Sequence, residues 1–197
     1  MRNETTNTAV PKLRFPEFRD EPSWSELKLA DNLYEHRLKS DGKSEVHSVS
    51  VHKGVINQVE HLGRSFSAAD TSKYSLAKPF DIIYTKSPTG DFPYGVVKQN
   101  LTGKNVIVSP LYGVFKPTNE YVGNLIHAYF EDPGRTSNYL VSLVQKGAKN
   151  TLQISNDRFL SKEIYLPANE AEQQKIAATL SSLDDLLTAH SAKLAAL

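Results

Sequence analysis

The last 26 residues of this 197-residue chain read EQQKIAATLSSLDDLLTAHSAKLAAL, and they restrict the fold more than any other stretch. Apolar side chains recur at Ile176, Leu180, Leu183, Leu187, Leu194 and Leu197, with His190 at the one polar position, in steps of 4, 3, 4, 3, 4 and 3. That spacing is a heptad seam on one face of an α-helix. Upstream, Asn169 can accept the N–H of Glu172, and Glu172 can reach back, so N-x-x-E reads as a capping box. From Glu170 the helix would run about 42 Å at 1.5 Å per residue. Its stripe must be covered, either by its own domain or by a second helix with the same face. A helix this long outreaches a small domain, which favours a second copy of the chain. In an antiparallel pair centred near Leu187, Leu180 would face Leu194 and Leu183 would face His190. A seam that runs to Leu197 implies either such a dimer or a chain that is a fragment of something longer.

Before the helix, the periodicity changes several times. Residues 1–12 are polar, rich in Thr and Asn, and expected to be a disordered leader. PKLRFPEFRDEPSW, 11–24, should run extended, and 25–37 has helical spacing through Leu27, Ala30 and Tyr34. From 45 to 59 the period is two, with a turn at Lys53-Gly54, which predicts a hairpin. FDIIYTK (80–86), 94–99 and 105–115 read as strands, 120–132 and 136–148 as helices with Gly147 as a stop, and TLQIS and KEIYLP as closing strands. The expected fold is α+β: a mixed α/β domain, 13–166, with a mostly antiparallel sheet, followed by one long C-terminal coiled-coil helix, 167–197.

Composition excludes several classes. No apolar run approaches the roughly 18–20 residues of a membrane span. The polar start, MRNETTNTAV, lacks the apolar core of a signal peptide, so a cytoplasmic protein is expected. With no cysteine, disulfides and thiolate chemistry are excluded. The net charge is +1, but 15 basic against 12 acidic residues in 31–160 leave the middle mildly basic. There is no phosphate-binding loop, dinucleotide turn, nucleophile elbow or H-E-x-x-H. PFDIIYTK carries the Asp and Lys of a metal-dependent nuclease strand, but Tyr84 stands where a carboxylate is needed. The histidines at 36, 47, 52, 61, 127 and 190 do not pair at metal-ligand spacing; His47 and His52 would point to opposite faces of one strand. No metal and no cofactor is expected.

These segments, taken together and in order, resemble one family. PKLRFPEF with Trp24, then KSPTGDFPYGVVKQ and VSPLYGVFKP, then L-Q-I-S…I-Y-L-P…E-Q-Q-K-I-A-A-T-L…L-D-D-L-L are similar to the specificity subunit of type I restriction-modification systems. The resemblance runs from Pro11 to Leu197. It implies a non-catalytic DNA-recognition subunit that reads one half of a bipartite target. Its partners would be double-stranded DNA, the modification (methyltransferase) subunits and the restriction (motor-nuclease) subunit. Family members carry two recognition domains and two long helices acting as a spacer; this chain has one of each. A natural half-subunit, a truncated product and an expressed fragment remain open.

A DNA reader needs cations for phosphates and a few polar side chains for base edges. The candidates are Lys86, Ser87 and Thr89 in the SPTG loop with Lys98 on the next strand, and a second group of Lys146, Lys149, Asn150 and Thr151 beside Gly147. The helix seam, Ile176, Leu180, Leu183, Leu187, His190, Leu194 and Leu197, is the candidate dimer surface. Two rivals stand beside this reading: a dimerising regulator or decoy that no longer reads DNA, and a stand-alone endonuclease or methyltransferase.

Overall fold

The computed structural model describes residues 8–64, 67, 69–146 and 152–195. It divides into two compact units, one formed by Met1–Leu27 with Glu163–Leu197, the other by Lys28–Lys162. No helix among the described residues is long and apolar enough to cross a membrane.

In the first unit, β1 (Thr8–Ala9) pairs antiparallel with β2 (Trp24–Lys28), and β13 (Glu163–Leu166) completes a three-stranded sheet in the order β1-β2-β13. A 3-10 turn at Pro16–Phe18 interrupts the segment expected to be extended. The long helix, α6 (Glu170–Ala195), begins where the sequence places it. Asn169 Oδ1 accepts from the N–H of Ala171 (2.9 Å) and Glu172 (3.3 Å), so one half of the capping box forms. The other half does not. The Glu172 carboxylate is fully buried and receives Arg14 Nε (2.8 Å), Arg14 Nη2 (2.7 Å) and Trp24 Nε1 (3.3 Å). A two-pronged arginine outcompetes a lone backbone N–H for the same carboxylate. Arg14 is itself held by the carbonyls of Glu21 and Pro22, so the lead-in segment is tied to the first turn of the helix.

The second unit holds the β-rich body. Its four-stranded sheet has the order β3-β10-β7-β8, from β3 (Leu33–Tyr34), β7 (Ile82–Tyr84), β8 (Val97–Gln99) and β10 (Gly113–Pro117). Two-stranded pairs join β4 (His47–Ser50) to β5 (Gly54–Asn57), β6 (Ser75–Ala77) to β9 (Val106–Val108), and β11 (Gln145–Lys146) to β12 (Leu152–Gln153). The named strands of this unit all pair antiparallel, with one isolated parallel bridge between Val46 and Ile107. The β4–β5 hairpin turns before Gly54, whose φ of +65° suits glycine. His52 lies in that turn, not on a strand with His47. Val55, Ala77, Ile83, Val106, Val108 and Val114 form one core cluster. The stacked rings of Tyr84, Phe115 and Phe159 form another, with centroids 4.7 and 5.3 Å apart.

The helices of this unit are α1 (Leu29–Asn32), α2 (Gln58–Leu62), α3 (Glu120–Phe130), α4 (Pro133–Val141) and α5 (Asn156–Leu160). Asn119, Asp132 and Ser155 cap α3, α4 and α5 through their side chains. Two expectations are corrected. The helix over 25–37 is instead β2, the single turn α1 and β3, because Leu33–Tyr34 is recruited by β10 from far along the chain. The helix over 136–148 starts at Pro133 and ends at Val141, since Gln145–Lys146 pairs with Leu152–Gln153. Strand pairing overrides local helical spacing in both cases, across more than 80 residues for Leu33–Tyr34 and across a short hairpin for Gln145–Lys146. Gly147 lies outside the described residues.

Candidate nucleic-acid interface

The loop between β7 and β8 carries three of the expected DNA-contacting residues together. Its tip is a tight turn: Thr89 and Phe92 exchange backbone hydrogen bonds of 3.0 and 3.1 Å around Gly90 and Asp91. Phe92 is buried and anchors the loop, while Ser87, Pro88, Thr89, Gly90 and Asp91 are exposed. At the base, Thr85 N–H donates to the Val96 carbonyl, and Val96 N–H donates back to Thr85 Oγ1. Gly95 packs so closely that a Cβ would lie 2.8 Å from the Lys86 nitrogen and from Tyr84 Cε2. This loop is therefore rigid at its base and polar at its tip.

Lys86 sits at that base with φ +61°, a left-handed conformation that costs a lysine roughly 1–3 kcal/mol. It is half-buried, and burial pulls its ammonium below the usual lysine range, with nearby Glu35 partly offsetting the effect. Among the described residues no hydrogen-bond acceptor or ion-pair partner meets Lys86 Nζ.

Glu35 connects this loop to two residues that the sequence did not single out. The segment after β3 alternates faces, as extended chain does. Tyr34, His36 and Leu38 line a cleft of about 360 Å³ with Phe80, Asp81 and Lys116. In that cleft His36 Nδ1 accepts the Leu38 N–H, so Nε2 carries the proton toward Asp81 Oδ2 at 2.8 Å. Asp81 Oδ2 also accepts the Lys78 N–H, so this carboxylate belongs to a structural network. Glu35 and Arg37 make a different set of contacts. Glu35 Oε1 receives Asn156 Nδ2 at 2.7 Å, and Glu35 Oε2 receives Arg37 Nε at 3.1 Å with Nη2 also at 3.1 Å. Asn156, the first residue of α5, lies against Gly113 of β10, where a Cβ would approach its Oδ1 to 2.8 Å. Arg37 has φ +55° and its side chain is 73% exposed.

The other expected contacts are placed as follows. Lys98 is not on the loop's exposed surface: it is 4% exposed and its ammonium bonds Glu131 at the end of α3. Lys146 lies in β11. Lys149, Asn150 and Thr151 lie outside the described residues, as does Leu197 of the helix seam. On α6, Ile176 and Leu180 are half-buried and Ala177 is buried, but Leu183, Leu187 and Leu194 are 50%, 65% and 60% exposed. Leu186, off the seam, is 66% exposed as well, which broadens the apolar face, and His190 is exposed.

A sequence model of the family described as "Type I restriction modification DNA specificity domain" matches residues 63–197. No curated protein matches the chain. Among solved structures, the type I restriction-modification S subunit from M. genitalium is similar with a TM-score of 0.57 and 16% identity, over 93% of this chain and 44% of that one. An HsdS subunit from Thermoanaerobacter tengcongensis has a TM-score of 0.45 and 13% identity, over 92% of this chain and 41% of that one. The chain thus spans less than half the length of either structure. The first likeness bears out the α+β fold with its long terminal helix.

Proposed function

Because the chain belongs to the type I restriction-modification DNA specificity family, we propose that it is a non-catalytic subunit that reads one half of a bipartite DNA target. The observation that carries this reading is the family match over residues 63–197, more than half of the chain. In this reading residues 13–166 recognise DNA and 167–197 act as spacer and docking helix, with modification and motor-nuclease subunits supplying the chemistry. A cation at a rigid loop base beside exposed Ser87 and Thr89 suits a contact to phosphate and base edge. The exposed leucines of α6 support pairing with the helix of a second copy.

The test is a binding titration on duplex DNA across salt concentrations. Lys86→Ala with Lys149→Ala should weaken binding and lower the salt slope by about 1–2, since each lost phosphate contact removes roughly 0.9. An unchanged slope would move the DNA-binding face elsewhere. A second reading, a dimerising regulator or decoy, draws on the same exposed leucines. It requires that the chain show no affinity for random duplex in a gel shift.

A further inference from the structure

Arg37 presents its guanidinium in an unusual way. Glu35 Oε2 occupies the Nε–Nη2 edge of the fork, with both contacts at 3.1 Å. The opposite edge, formed by Nη1 and the second hydrogen of Nη2, meets no partner among the described residues. Glu35 is itself held by Asn156 Nδ2 at 2.7 Å, and its side chain is only 19% exposed against 73% for Arg37. The carboxylate is thus anchored in the body of the domain, while the arginine it orients stands in solvent. Arg37 is one of three non-glycine residues with positive φ among the described residues, and Lys86, which feels the charge of the same Glu35, is another. A surface arginine gains nothing from such a backbone unless its position matters. An arginine clamped on one edge loses little further freedom when its other edge binds. That free edge offers two parallel N–H donors, the geometry that fits O6 and N7 of guanine in the major groove.

We infer that Arg37 is a base-reading residue selective for guanine, with Glu35 as its positioning residue. The inference rests on the DNA-recognition reading above. It names a contact outside residues 63–197, the stretch that the family model matches.

Selection from a randomised duplex pool with the full chain tests it, comparing the wild type with Arg37→Lys and Glu35→Gln. Lysine keeps the charge but has no planar fork. Arg37→Lys should therefore lose preference for one guanine in the selected motif by roughly tenfold to a hundredfold. Its affinity for random duplex and its salt slope should stay unchanged. Glu35→Gln keeps an acceptor for Asn156 and should make the same position partly degenerate, which a merely structural role would not do. Both side chains can be changed without opening a core, and an unchanged thermal midpoint verifies this. A wild-type motif without guanine, or a guanine kept by Arg37→Lys, overturns this inference and leaves the DNA-recognition reading standing. If the wild type enriches no sequence at all, both readings fall together.

Discussion

Gly95 shows how one residue sets the loop between β7 and β8. Its φ is +107°, and a Cβ would sit 2.8 Å from backbone and ring atoms that cannot move aside. Gly90, at the loop tip, also has positive φ (+52°) but faces open space. The two should differ sharply. Gly95→Ala combines strain with a clash and is expected to cost about 2–3 kcal/mol, read from urea unfolding. Gly90→Asn, which tolerates the left-handed region, should cost less than about 1 kcal/mol. Equal losses would mean that backbone strain, and not the close approach to Lys86 and Tyr84, governs the loop. Arg37 and Lys86 carry the same type of strain without the excuse of being glycine, and both are cations near Glu35.

The first turn of α6 is tied down by Glu172, and it decides whether the lead-in and the helix behave as one body. Buried Glu172 accepts both prongs of Arg14 and the indole of Trp24, while Asn169 Oδ1 accepts the N–H groups of Ala171 and of Glu172 itself. Asn169 Nδ2 in turn reaches Glu21, and the Lys175 ammonium pairs with Glu17 and lies 4.8 Å over the Phe15 ring. Glu172→Ala leaves the Arg14 guanidinium without its counter-charge, held only by the Glu21 and Pro22 carbonyls, and is expected to cost about 3–5 kcal/mol. Hydrogen exchange should show the loss at 14–24 and at the helix start together. Fraying confined to 170–175 would contradict that linkage. Further along, Leu183, Leu187 and Leu194 are half exposed or more, so the same helix is buried at its start and bare beyond it.

At the scale of the whole molecule, that bare face is the strongest handle on assembly. Leu183→Glu with Leu187→Glu should leave the fold intact and abolish self-association, read by light scattering at tens of micromolar. A wild-type monomer under those conditions would end the homodimer reading. If the dimer forms with twofold symmetry, it should select a target of two identical inverted half-sites. The described part of α6 has 26 residues, about 39 Å at 1.5 Å per residue, close to one turn of DNA. The long helix, its start at Glu170, the β4–β5 hairpin, α3 and the strand around Ile82–Tyr84 were all legible in the sequence. Each is written in local periodicity or in a cap, which depend on neighbours within a few residues. The partner of Glu172, the strand identity of Leu33–Tyr34, the burial of Lys98 and the meeting of Glu35 with Asn156 were not. Those depend on residues 158, 121 and 33 positions apart, for Arg14 with Glu172, Glu35 with Asn156 and Lys98 with Glu131. Which side chain meets which across such separations is decided by strand pairing and packing, and only the tertiary structure holds that information.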